Sequence, residues 1–274
     1  MGWRFLNYQT NNIFENMAID EAIFRGVITS KTESTIRFYG SEPEAVSIGY
    51  FQDAKKDLNL GQCRHDGIDV VRRITGGRAV FHCNEITYSV TAGSGERIFP
   101  DNISETYRVI SKCLVHGLGN LGIDARLAET GDERNQGEKV ACCFSTSAEN
   151  EILVNGRKIC GSAQVRRRGG FLQHGLLFYR FDPEGTANLL LSSRSPEQIE
   201  KLKQSVTSIN EYLCQPLTAE EICETLKKSF CDELGIHLGK GSLTPAEEKL
   251  KNELMKKYTD GLWNIEREKY FKAV

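Results

Sequence analysis

The chain has no run of 18 consecutive apolar residues, so no membrane-spanning helix is expected. Its first residues, MGWRFLNYQTNN, lack the basic-then-apolar order of a secretory signal. Leu6 stands where N-myristoylation requires Ser or Thr. No CxxC pair occurs, and the nine cysteines are an odd number with no secretory pattern. Free thiols in a reducing, cytoplasmic setting are therefore expected. A net charge of −2 leaves no global basic field for nucleic acid. No metal site is expected either, because the spacing of Cys63, His65 and His82 matches no familiar zinc pattern. Internal repeats and low-complexity segments are missing.

What is present is 274 residues with 39% hydrophobic content, enough for one large core. The most informative stretch is Arg72-Arg73-Ile74-Thr75-Gly76-Gly77-Arg78-Ala79-Val80-Phe81-His82. Its adjacent glycines let the backbone turn sharply and let a ligand approach closely. Its three arginines bring guanidinium forks to the same place. That combination suits an anionic or carbonyl-bearing ligand lying along a strand–turn–strand. The plainer alternative is a Gly-Gly hairpin with solvated arginines.

Hydrophobic spacing predicts a helix over Phe14–Val27 and a long one over Ser104–Leu121. A third, opened by the capping box Thr218-Ala219-Glu220-Glu221, runs through Leu234, and a last one opens at Thr244-Pro245. Strands are predicted at Thr35–Tyr39, Val46–Tyr50, Val70–Ile74, Ala79–His82, Ile86–Thr91 and Phe171–Arg180. Asn155-Gly156 signals a two-residue hairpin in which Leu153 faces Lys158 and Ile152 faces Ile159. Residues 128–139 read as a polar surface loop, and Gly239–Ser242 as a linker. The elements do not alternate strand–helix–strand. The expected class is therefore α+β, with a mixed, largely antiparallel sheet flanked by helices. Residues 1–240 are expected to form the catalytic domain and 241–274 a short helical appendage packed on it.

Three segments together, RRITGGRAVFH…EITYSV, ACCF and NEILVNGRKICGSAQVRRRGGFLQHGLLF, resemble the biotin/lipoate protein ligase and lipoyl/octanoyl transferase superfamily. The likeness runs from the helix holding Asn16, Asp20 and Glu21 to about residue 265. Within the superfamily the chain is most similar to octanoyltransferases of the LipM type. Gly-Gly-Arg replaces the Gly-Gly-Gly usual in ATP-dependent ligases, and Glu85-Ile86-Thr87-Tyr88-Ser89 replaces their Gly-Asn segment. Cys143-Phe144 stands where the transferases carry their nucleophile. Cys83 is a departure, at a position where relatives commonly carry Asp.

The resemblance implies a catalytic domain like those of biotin and lipoate ligases. It implies transfer of octanoyl from acyl carrier protein to a lysine of a lipoyl domain, such as glycine cleavage H protein, with no cofactor. Cys143 would be the nucleophile, with thioester exchange requiring no ATP. Lys158 would lower the thiol pKa and stabilise the oxyanion. Arg73, Gly76, Gly77, Arg78, His82, Ser162 and Ala163 would bind substrate. His82 could take or relay a proton, with His174 a further candidate. Val46–Tyr50 would wall the acyl chain, and Arg166-Arg167-Arg168 could steer an acidic carrier protein. Cys142, Cys113, Cys160, Cys214, Cys223 and Cys231 are read as bystanders or packing residues. The alternatives are an amidotransferase between lipoyl domains, an ATP-dependent lipoate ligase and a non-catalytic acyl-binding module.

Overall fold

The computed structural model describes residues 2–128, 151–190 and 195–267. The Cys142-Cys143 pair and nearly all of segment 128–139 lie outside them. In chain order the strands are β1 (Trp3–Asn11), β2 (Thr35–Ser41), β3 (Ala45–Ile48), β4 (Asp69–Arg72), β5 (Val80–His82), β6 (Glu85–Gly93), β7 (Ala125–Leu127), β8 (Ile152–Val154), β9 (Arg157–Arg167), β10 (Gly170–Phe178) and β11 (Leu238–Lys240). The helices are α1 (Ile13–Ile28), α2 (Ala54–Asp57), α3 (Leu60–His65), α4 (Ile103–Asn120), α5 (Pro183–Leu190), α6 (Pro196–Ser205), α7 (Ala219–Leu234), α8 (Pro245–Tyr258) and α9 (Gly261–Asn264).

Eight strands form one sheet in the order β11-β1-β2-β6-β10-β9-β8-β7. β1 runs parallel to β2 and β11, and every other neighbouring pair in it is antiparallel. A smaller sheet has the order β4-β3-β5. The mixed, largely antiparallel architecture is the one the element order predicts.

Strand β6 shows how the sequence sets the layers. Its side chains alternate between two faces. Ile86, Tyr88, Val90 and Ala92 enter the main core with α4 residues such as Ile110 and Leu114 and α7 residues such as Leu226 and Phe230. Glu85, Thr87, Ser89 and Thr91 take the other face and are buried too. α1 packs against β6, β10 and β2. Both faces of β6 are thus covered, one apolar and one polar.

Helix α1 departs from a simple amphipathic reading. Of the apolar stripe Phe14, Met17, Ala18, Ala22, Ile23 and Val27 that helical spacing predicts, all but the half-buried Phe14 are buried, but so are Asn16, Asp20 and Glu21. α8 lies against α1, which removes its solvent face. Each buried polar group has partners, as burial requires. Glu21 accepts from Lys257 Nζ at 2.7 Å and Tyr258 Oη at 2.5 Å.

Three strands are not evident from sequence. β1 precedes the first predicted helix, and β7 is only three residues long. β11 falls where a linker is expected, and it pairs Leu238–Lys240 with Trp3–Phe5. Such short runs carry no period of their own, and their pairing is decided by tertiary contacts. The Asn155-Gly156 turn has both residues at positive φ, 50° and 78°, as a hairpin of this type requires. Leu153 faces Lys158 as expected, but a register shift pairs Ile152 with Cys160 rather than with Ile159. Cys113, Cys160 and Cys223 are buried, as apolar positions should be. Cys214 is exposed instead, because it sits in the connection after a single 3-10 turn at Ile209–Glu211 and not on an inward face.

The C-terminal segment is tied in by buried charge. Arg4 donates to both oxygens of Glu247 at 2.7 Å. Arg72, fully buried, donates to the carbonyls of Trp263, Asn264, Gly49, Tyr50 and Gln52 at 2.7–3.2 Å. Its own carbonyl accepts from the Trp263 indole at 2.8 Å. Replacing Arg72 with Met would leave those carbonyls without donors in the interior. The expected loss in urea unfolding is at least about 3 kcal/mol. An Arg72→Met variant as stable as wild type would contradict this role.

Candidate active site

A pocket opens where α1, β6, β9 and β10 meet β3 and β5 of the smaller sheet. Its apolar wall is Met17, Val80, Ala163 and Leu176. Its polar lining includes Ser47, Arg73, His82, Thr87 and His174. A mostly apolar concavity with a few convergent polar groups is the usual form of a small-molecule site.

Two carboxylate–histidine–hydroxyl chains reach this pocket. In the first, Glu85 Oε1 lies 3.0 Å from His82 Nδ1, and His82 Nε2 lies 2.8 Å from Ser47 Oγ. Arg73 Nη1 also donates to Ser47 Oγ at 3.2 Å. In the second, Asp20 Oδ2 lies 3.2 Å from His174 Nδ1, and His174 Nε2 lies 2.7 Å from Thr75 Oγ1. Asp20 further accepts from Arg37 Nη1 at 2.9 Å and Tyr39 Oη at 2.8 Å. An ionised Asp20 accepts only, so His174 donates from Nδ1 and accepts the Thr75 hydroxyl at Nε2. The second chain thereby pins Thr75, at the root of the Gly-Gly turn.

The turn itself is held from both sides. Arg73 Nη2 donates to the carbonyls of Gly76 and Arg78, each at 2.8 Å. Gly77 has φ +89°, a conformation that strains residues with a side chain. A Cβ on Gly49 would lie 2.0 Å from the Gly77 carbonyl oxygen, so only glycine lets the end of β3 support the turn. A Cβ on Gly77 would lie 3.6 Å from that of Ala163, which places the turn beside the β9 wall.

Of the residues singled out from sequence, Arg73, His82, His174, Ser162 and Ala163 line this pocket. Gly76, Gly77 and Arg78 form the turn over Arg73. Lys158 lies on the same strand as Ser162, roughly 13 Å away along it. Its ammonium is buried and ion-paired with Glu151. Cys143 lies outside the described residues. Of the expected acyl wall Val46–Tyr50, only Ser47 lines this pocket, because strand alternation turns Val46 and Ile48 into the small-sheet core. Tyr50 stacks on Phe51 and Trp263. Arg166 donates to Thr106 Oγ1 at 2.7 Å and lies over the Phe171 ring, while Arg167 and Arg168 are exposed. Cys83 donates to Glu44 Oε1 at 2.8 Å, and burial pushes its thiol pKa up, so it serves as a neutral hydrogen-bond donor there.

Sequence reasoning missed Thr87, Glu85 and Asp20 as pocket residues or their partners, and read Ser47 only as part of an apolar wall. The signal was available in β6, where Glu85, Thr87 and Ser89 alternate with Ile86, Tyr88 and Val90. Polar residues on one strand face ordinarily mean solvent. Here they mean a buried face around a pocket. The Thr87 hydroxyl is buried and has no hydrogen-bond partner among the described residues.

A chain of this fold has known relatives. The profile described as the lipoyl protein ligase A/B catalytic domain matches residues 12–231, and the chain belongs to that family. It is 37% identical over 271 residues to octanoyltransferase LipM of Kyrpidia tusciae, covering 97% of this chain and 99% of the relative. It is 36% identical over 273 residues to octanoyltransferase LipM of Bacillus subtilis, covering 97% and 98%. Among solved structures it is similar to lipoate-protein ligase A bound with ATP, with TM-score 0.80 and 28% identity, covering 97% of this chain and 99% of that one. No helix among the described residues is long and apolar enough to cross a membrane.

Burial lowers the pKa of His174 below the ordinary 6.5, and the opposing pull of Asp20 does not outweigh it. Burial alone would raise Asp20, but the His174 hydrogen bond and the Arg37 charge hold it below 3.8. Native His174 therefore stays neutral at a pH where the unfolded chain binds a proton. Stability falls as pH drops below 6.5 toward the native value. Urea unfolding across that window is expected to show a smaller decline for His174→Gln than for wild type. Identical slopes would contradict the burial of a neutral imidazole.

Proposed function

We propose that this chain transfers an octanoyl group to a lysine of a lipoyl domain through a thioester on Cys143, with octanoyl-acyl carrier protein as donor. The observation that supports the reading best is the end-to-end similarity to octanoyltransferases. The pocket agrees with it in character. An eight-carbon chain against Met17, Val80, Ala163 and Leu176 gains roughly 0.8 kcal/mol per buried methylene. The carbonyl end then lies among Arg73, Ser47, His82 and Thr87. The unpaired Thr87 hydroxyl is suited to donate to the acyl oxygen, which recovers the cost of burying it alone.

The route needs no ATP. A cysteine thiolate attacks the donor thioester and releases the carrier thiol, giving a second thioester of similar energy. The acceptor amine then forms the amide, which runs downhill. Lys158 is the cation proposed to assist Cys143. Its Glu151 partner would hold the ammonium charged and oriented. The fold does not by itself separate transfer from ligation, since a lipoate-protein ligase bound with ATP shares it. The cysteine separates them: a ligase tolerates its loss and requires nucleotide.

Intact mass spectrometry after mixing with octanoyl-acyl carrier protein, without ATP, tests the reading. Wild type is expected to carry a hydroxylamine-labile octanoyl adduct that Cys143→Ser lacks. Onward transfer from that adduct to a lipoyl domain should follow. Acylation of the acceptor only when ATP and free acid are supplied, with Cys143→Ser fully active, would show ligation instead.

A further inference from the structure

We propose that Glu85, His82 and Ser47 form a proton path that deprotonates the acceptor amine during acyl transfer, with Ser47 as the group that touches it. The inference rests on the octanoyl-transfer reading and adds the base that reading lacks.

The valences at Ser47 carry the argument. A hydroxyl has one proton and two acceptor lone pairs. With Glu85 ionised, His82 donates from Nδ1 to Glu85 and accepts at Nε2, so the Ser47 proton points to His82. One lone pair accepts from Arg73 Nη1. That leaves one acceptor lone pair on a buried hydroxyl that lines the pocket. It suits an N–H donor. Ser47 is also rigidly placed, since β3 pairs with β5 through Val80 and with β4 through Val71. The neighbouring orphan hydroxyl of Thr87 is independent support that the pocket receives a polar group.

The step balances without a co-reactant. The amine nitrogen forms a bond to the acyl carbon, and the carbon–sulfur bond breaks with its electron pair going to sulfur. The amine proton passes to Ser47 Oγ as the Ser47 proton passes to His82 Nε2. The products are an amide, a thiolate and an imidazolium facing Glu85. The charged groups around His82 are Glu85 from β6 and Arg73 from the loop after β4. His174 on β10, paired with Asp20 of α1, is the other titratable neighbour.

The test separates the two half-reactions under single turnover. Enzyme is loaded with octanoyl-acyl carrier protein, and transfer to a lipoyl domain is then timed at several pH values. His82→Gln and Ser47→Ala are expected to slow transfer by roughly 10²–10⁴-fold, and loading far less. Glu85→Gln should give an intermediate loss, and Ser47→Thr, which keeps the hydroxyl, should recover most of the rate. The pH profile of wild-type transfer should contain an ionisation that His82→Gln lacks. Equal slowing of loading and transfer, or an unchanged pH profile in His82→Gln, would overturn the path. Failure of wild type to load at all would instead overturn the octanoyl-transfer reading, and the path with it.

Discussion

One buried guanidinium holds the site's frame together. Among the described residues the Arg72 guanidinium donates only to backbone carbonyls, and those carbonyls belong to segments distant in sequence: the end of β3 with the turn after it, and α9. Arginine cannot shed its charge to escape burial, so the carbonyls must be held where the donors are. Its neighbour Arg73 does the same for the other side of the chain, bonding Gly76 and Arg78. Adjacent residues on an extended strand point opposite ways. The Arg-Arg pair therefore joins the C-terminal helix on one side and the Gly-Gly turn on the other, through the last residue of β4 and the one after it.

The pocket inherits its shape from this arrangement. Gly49, the residue after β3, lies against the Gly77 carbonyl, and Ser47 two residues earlier faces the pocket. Movement at the turn would move both. From below, Asp20, His174 and Thr75 fix the turn's root through α1 and β10. Glu85 of β6 and His82 of β5 fix Ser47. Two histidines at one pocket thus have different tasks. His174 is enclosed between a carboxylate and a threonine and is kept neutral by burial. His82 ends on a hydroxyl with a free lone pair in the pocket.

Most of the frame was legible in the sequence, for identifiable reasons. The long helices announce themselves by caps and 3.6-residue spacing: the Thr218–Glu221 and Thr244–Glu247 capping boxes are both present. The Asn155-Gly156 hairpin follows from turn chemistry. Arg73, His82, Ser162 and Ala163 were found because their segments carry a family likeness. What sequence could not give was contact between distant segments. β11 is a strand only because β1 lies beside it. Ser47 reads as one polar residue in an apolar run until β5 brings His82 to it. Thr87 reads as a solvent-facing strand residue until α1 covers its face. The bulge that shifts Ile152 onto Cys160 leaves no compositional mark.

The most direct test is a crystal structure of the protein carrying an octanoyl group. The acyl chain is expected against Met17, Val80, Ala163 and Leu176, with its carbonyl oxygen within hydrogen-bond distance of Thr87 Oγ1 and its reacting carbon facing Ser47. An octanoyl chain bound elsewhere, with this pocket empty, would contradict the assignment of the site.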